Sequence, residues 1–119
     1  GILDKWEKNF DNAVSVAGKL NLVQELYLMS QLRVMLSMDS ANMHLASLVG
    51  VPVISIWGAT HPYLGFYGFN QSIENAIKID LDCRPCSVFG NTVCRRGDYA
   101  CLNSIHPSII VRRLQKYLD

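Results

Sequence analysis

The order of apolar and polar positions breaks the chain into short, alternating segments. Asn12 to Ala17 is an apolar run with two valines, ended by Gly18, and predicts a buried strand. Asn21 is placed to cap a helix whose apolar face is Leu22, Leu26, Met29 and Leu32, at spacings of three and four. Arg33 to Met38 is again short and strand-like. Ser40 or Asp39 then caps a helix over Ala41 to Val49, which Gly50 stops. Val51 to Trp57 is a β-branched run between Gly50 and Gly58, with Pro52 at its start, and predicts a buried strand.

Past Trp57 the pattern loosens. His61 to Asn70 is rich in aromatics and glycine and predicts a loop. Ala76 to Ile79 predicts one more strand, and residues 80–104 form an irregular cysteine-containing segment. Pro107 opens a final helix with Ile109, Ile110, Leu114 and Leu118 facing the core and Arg112, Arg113 and Lys116 facing water. Strands alternating with helices imply βαβ units, a parallel sheet and an α/β fold.

At 119 residues the chain has room for one domain, 1–119, with one core. About four strands with three helices is thin for a doubly wound domain, and barely ten residues come before the first strand. The expectation is therefore a domain incomplete on its N-terminal side, part of a larger protein. Composition is 50% apolar and 18% charged, which is globular. A net charge of +1 offers no electrostatic footprint for nucleic acid or an anionic membrane. No apolar run reaches the roughly 18 residues needed to span a bilayer. Charges fall where a signal peptide needs an apolar stretch, so the expected location is cytoplasmic, including the inner face of the membrane.

The stretch from Ser37 to Ala46 carries the candidate chemistry. It sets an acid, a hydroxyl and, four residues on, a histidine at a strand-to-helix turn. After a parallel strand the next helix points its free N–H groups and positive dipole end into the ligand crevice, which makes a phosphate site. Ser40 offers a hydroxyl, Ala41 and Asn42 offer amides, and His44 lies one turn further on the same face. Asp39 repels a diphosphate unless its carboxylate is bonded to amides, a sugar hydroxyl or a ribose. A second reading fits the spacing as well: Asp39 and Ser40 as ordinary caps and His44 as a partly buried helix residue.

Asp39-Ser40-Ala41-Asn42-Met43-His44-Leu45-Ala46, then Gly50-Val51-Pro52-Val53 and Trp57-Gly58-Ala59-Thr60, resembles the signature of family 9 glycosyltransferases, the lipopolysaccharide heptosyltransferases and their relatives. Upstream, Ala17 to Leu22 with Glu25 and Leu26 is similar to the strand-turn-helix before that motif. The likeness runs from about residue 12 to the last helix. It implies a GT-B protein, with two Rossmann-like domains across a cleft. This chain would be the C-terminal, nucleotide-sugar-binding half. The acceptor site and the carboxylate base would lie in the N-terminal domain, so the 119 residues alone would be inactive.

By the same resemblance Asp39, Ser40, Ala41, Asn42 and His44 line the sugar donor's diphosphate, with Thr60 on the neighbouring loop. Helix amides and His44 would stabilise the leaving group, so the chemistry needs no cofactor. The implied reaction moves an ADP-activated heptose or related sugar, with inversion, onto a lipopolysaccharide-type acceptor. Ala41 replaces the usual Gly, a small change expected to be tolerated, whereas Asn42 and His61 stand where Pro and Asp are common, which bears on donor identity more than on reaction type. The family's earlier Gly-Gly-rich strand and its nucleoside-contacting acid have no counterpart here.

Cys83-x-x-Cys86, Cys94 and Cys101 place four sulfurs in the irregular segment, beside Arg84, Arg95 and Arg96. A structural zinc, two disulfides and free thiols all fit, the six-residue gap between Cys94 and Cys101 being the weak half of a zinc site. The arginines are either a wall for an anion or solvated. Trp57, Tyr63, Phe66, Tyr67 and Phe69 form either a stacking surface for a base or sugar or simple loop packing. His106 starts the last helix. The rival function is a non-catalytic nucleotide- or phosphate-binding α/β module with a zinc site that serves assembly.

Overall fold

In a computed structural model, all 119 residues are described. The order is α1 (Ile2–Asn9), α2 (Leu22–Ser30), β1 (Met35–Met38), α3 (Ala41–Leu48), β2 (Val53–Ile56), β3 (Ala76–Ile77), α4 (Ala100–Asn103) and α5 (Pro107–Leu118). The three strands form one sheet, ordered β1-β2-β3 and parallel throughout. Met35 pairs with Val53 and Met38 with Ile56, while Ser55 and Ile56 pair with Ala76 and Ile77. This is an α/β, Rossmann-like sheet.

The β2 segment shows why a continuous apolar run is required. Its alternate residues serve two cores, one on each face of the sheet. Val53 and Trp57 join Met43 and Ala46 of α3 and Ala76 of β3, with Met29, Met35 and Tyr67 around them. Ile54 faces the other way, into Ile77 and Ile105, against Ile110, Leu114 and Tyr117 of α5. The sheet is thus sandwiched between α3 and α5. Ser55 is fully buried on the α3 face, and its hydroxyl accepts from the Trp57 indole nitrogen at 2.8 Å, so neither polar group is left unpaired. Gly50 ends α3 at φ 78°, a left-handed conformation that costs glycine little, and turns the chain into β2.

One expectation is corrected in the N-terminal third, and one element there was not foreseen. Residues 12–17 form no strand. Only Ser15 is buried there, its amide donates to the Glu7 carboxylate at 3.1 Å, and Val14 and Val16 face solvent. Turns at Ala13 and Lys19 consume the neighbouring backbone groups, so β1 keeps one open edge. Ahead of that run lies a helix, α1, that was not expected. Its apolar residues, Ile2, Leu3 and Trp6, are all exposed, and none of its residues is buried. The C-terminal helix begins at Pro107 as expected, with the His106 ring accepting from the Ser108 amide. Ile110 and Leu114 pack inward, but Ile109 and Leu118 are half exposed because the two-residue β3 gives α5 little sheet to cover. Arg113 leans back towards Glu74 across 3.9 Å.

Asn21 caps α2 as expected. Its side chain accepts from the Gln24 amide at 3.0 Å, and the Gln24 side chain accepts from the Asn21 amide at 3.0 Å. Asn21→Ala is expected to cost about 1 kcal/mol, read as a small drop in Tm with faster amide exchange confined to α2.

Candidate active site

Parallel strands point their C-terminal ends one way, and here β1 and β2 deliver Asp39 and Gly58–Thr60 side by side. The Asp39 amide extends the ladder to the Ile56 carbonyl at 3.3 Å, which fixes where its side chain begins. Its carboxylate then accepts from the Thr60 hydroxyl at 2.7 Å. Thr60 is buried and Asp39 half buried, so this charge-assisted bond is partly shielded from water. Thr60 thus holds Asp39.

Ser40 occupies the position before α3 in extended backbone, φ −154° and ψ 173°, but its hydroxyl does not cap the helix. It pairs with the Ser37 hydroxyl at 3.2 Å. With Asp39 committed to Thr60 and Ser40 to Ser37, the amides of Ala41 and Asn42 meet no acceptor in the chain. Both residues are exposed. Free amides and the positive end of the helix dipole therefore face solvent together, which suits an anion. His44 is exposed one turn along, and its imidazole makes no hydrogen bond within the protein. The partly buried histidine of the capping reading is not what the structure contains.

A hollow of about 270 Å³ adjoins this turn, lined by Met38, Asp39, Ile56, Thr60, Phe89 and Tyr99 among others. Asp39 and Thr60 connect it to the α3 start, whereas Ser40, Ala41, Asn42 and His44 stand on the open surface beside it. Phe89 and Tyr99 belong to the cysteine segment, whose part in this wall no spacing in the sequence indicates. A larger hollow of about 400 Å³ lies at the opposite end of the strands, by Gly50, Pro52 and Tyr117. There Gln71 is already spent on the Val53 amide, the Val51 carbonyl and the Ser47 hydroxyl, and Asn75 donates to Tyr117. The candidate site is therefore the turn at the C-terminal end of the sheet.

The aromatic cluster divides. Trp57 is core, with Tyr67 tilted against it at 5.9 Å. Burial pushes the Tyr67 hydroxyl's pKa up. Phe66 meets Phe89 of the cysteine segment at 5.9 Å, while Tyr63 and Phe69 are exposed. The His61 imidazole accepts from the Tyr63 amide at 3.1 Å, and burial with the nearby Arg84 and Lys78 charges lowers its pKa.

All four cysteines are free thiols, and no three His, Cys, Asp or Glu side chains are grouped to hold a metal ion. They are nevertheless neighbours. Burial and the charges of Cys83, Cys101 and Cys94 push the Cys86 thiol up. Backbone N–H groups of Tyr99, Gly97 and Arg96 pull the Cys94 thiol down. Of the arginines, Arg96 pairs with Asp98 at 2.9 Å and Arg84 is turned inward onto backbone carbonyls, so neither is free to wall an anion.

No helix is long and apolar enough to cross a membrane. No curated protein and no solved structure matches the chain. The family model described as glycosyltransferase family 9 (heptosyltransferase) matches residues 2–94, more than half of the length and including the whole turn from Asp39 to His44 and the loop that ends at Thr60. With a parallel α/β sheet and an anion-ready helix start at its C-terminal edge, this chain belongs to glycosyltransferase family 9.

Proposed function

We propose that the chain is the nucleotide-sugar-binding, C-terminal half of a GT-B glycosyltransferase that moves an ADP-activated heptose or related sugar onto a lipopolysaccharide-type acceptor. The observation that carries this is the start of α3: two unpartnered amides, an unpartnered imidazole one turn on, and an acid held by Thr60. The diphosphate lies across the Ala41 and Asn42 amides. With one Asp39 oxygen accepting from Thr60, the other is left to accept from a hydroxyl of the sugar or ribose, so the acid faces a hydroxyl and the amides face the phosphates. His44 donates to the oxygen whose charge grows as the sugar leaves, an interaction stronger in the transition state than in the bound sugar donor. A base on the acceptor-binding domain removes the acceptor's proton, and the reaction inverts the anomeric carbon.

An apolar face supports a further domain beside this one. Val23 and Tyr27 of α2 are 76% and 69% exposed, and with Val16, Leu20 and Leu28 they line an open apolar hollow. The radius of gyration is 15.3 Å, against about 13.5 Å for a compact domain of this length. Both fit α1 and α2 packing on something besides this sheet.

Transfer assays on the complete enzyme with a panel of nucleotide sugars test the reading. ADP-heptose is expected to be turned over, and the 119-residue chain alone is expected to bind ADP weakly and transfer nothing. Tight nucleotide binding by the complete protein with no transfer from any nucleotide sugar would favour the non-catalytic module.

We further propose that the cysteine segment is a structural element with no step in the transfer. The donor set fits zinc by chemistry: a Cys-x-x-Cys half-site, four neighbouring sulfurs, and a Cys94 thiol biased towards thiolate. The side chains as they stand do not assemble around an ion. Metal analysis of protein purified without added metal reads this directly. About one equivalent of zinc per chain is expected if the thiols close on an ion, and four alkylatable thiols with no metal would remove zinc from the account.

A further inference from the structure

Arg84 lies between two cysteines, where its sequence neighbours suggest a charge on a loop surface. The fold uses it differently. Its Nε donates to the Gly58 carbonyl at 2.5 Å and one terminal nitrogen donates to the Thr60 carbonyl at 2.7 Å. The other terminal nitrogen donates to the Ile79 carbonyl, just beyond β3. Between these, the Cys86 amide donates to the Ala59 carbonyl at 2.9 Å. Three consecutive carbonyls after β2 are therefore taken by one short stretch of the cysteine segment, and the same guanidinium ties them to the strand next door. Thr60 is the residue whose hydroxyl holds Asp39.

We propose that Arg84 is a positioning residue for sugar-nucleotide binding: it fixes the Gly58–Thr60 turn so that the Thr60 hydroxyl sets the Asp39 carboxylate. The inference rests on the reading of Asp39 as a contact to the sugar donor. A planar guanidinium suits the task because it directs several donors at fixed angles, whereas an ammonium is a point charge that cannot reach both strand ends at once. It also gives the cysteine segment a role in the active site through the backbone, without any of its side chains touching the phosphates.

The test is a double-mutant cycle in the complete enzyme, reading kcat and donor KM for Arg84→Ala, Thr60→Val and the pair, with Asp39→Asn alongside. Arg84→Ala is expected to lower kcat/KM about 10- to 100-fold, the scale of a small misplacement at a reacting site. In the Thr60→Val background the same change should cost less than about twofold, because the two act through one connection. Arg84→Lys should behave like Arg84→Ala, and it keeps the charge if alanine leaves the protein poorly folded. Full, independent losses from Arg84 and Thr60 with a damaged Asp39→Asn would overturn this proposal alone. An undamaged Asp39→Asn would overturn the site assignment and this proposal with it.

Discussion

His44→Ala in the complete enzyme is expected to reduce kcat about 100-fold. Removing one preorganised donor to a developing oxyanion typically costs on the order of 3 kcal/mol. The loss should fall on kcat more than on donor KM, since the interaction strengthens as the bond to the sugar breaks. The structure makes this variant easy to interpret. His44 is exposed and bonds to nothing in the chain, so its removal leaves core and hydrogen bonds intact, and circular dichroism and Tm should match the parent. Near-parental kcat and donor affinity would make His44 an ordinary surface residue and end the proposed role.

Asp39→Ala should be at least as damaging, about 100-fold or more in kcat/KM, for two reasons that can be separated. The first is loss of the carboxylate oxygen offered to the sugar or ribose. The second is the buried Thr60 hydroxyl, which loses its acceptor; an unsatisfied buried group costs about 1–3 kcal/mol. Asp39→Asn keeps an acceptor for Thr60 but replaces the charge and the second acceptor oxygen with an NH2 donor. If contact with the sugar donor dominates, Asn should be nearly as inactive as Ala while its Tm stays close to the parent. If Asn restores activity, Asp39 serves the turn and not the ligand.

How far the sequence could be read follows from how local each signal is. The β1 turn into α3 and β2 was legible because a β-branched run bounded by Gly50 and Gly58, and a short helix that Gly50 stops between two strands, are set by near neighbours. The site residues came from the same stretch, and resemblance rather than spacing chose the phosphate reading over plain capping. Residues 12–17 misled because valines in a short run satisfy a strand pattern whether or not a neighbouring strand exists, and here Ser15 found Glu7 instead. Helix α1 was missed because it is eight residues long and buries no face. The bond from Thr60 to Asp39 spans β1 and β2, and the clasp of Arg84 on Gly58 and Thr60 crosses the loop to the cysteine segment. Neither leaves a periodicity to detect. That Ser40 turns to Ser37 and leaves the α3 amides free is likewise a choice between two local partners that only coordinates decide.

The central claim is that the start of α3 receives the diphosphate. Amide chemical shifts of isotopically labelled protein, followed while ADP is added, test it most directly. The account predicts saturable downfield movement of the Ala41 and Asn42 amide protons, a smaller response at His44, and no change along α1. Adenosine, which lacks the phosphates, should leave Ala41 and Asn42 where they were. Saturable shifts that bypass residues 39–44, or equal responses to adenosine and ADP at those amides, would contradict it.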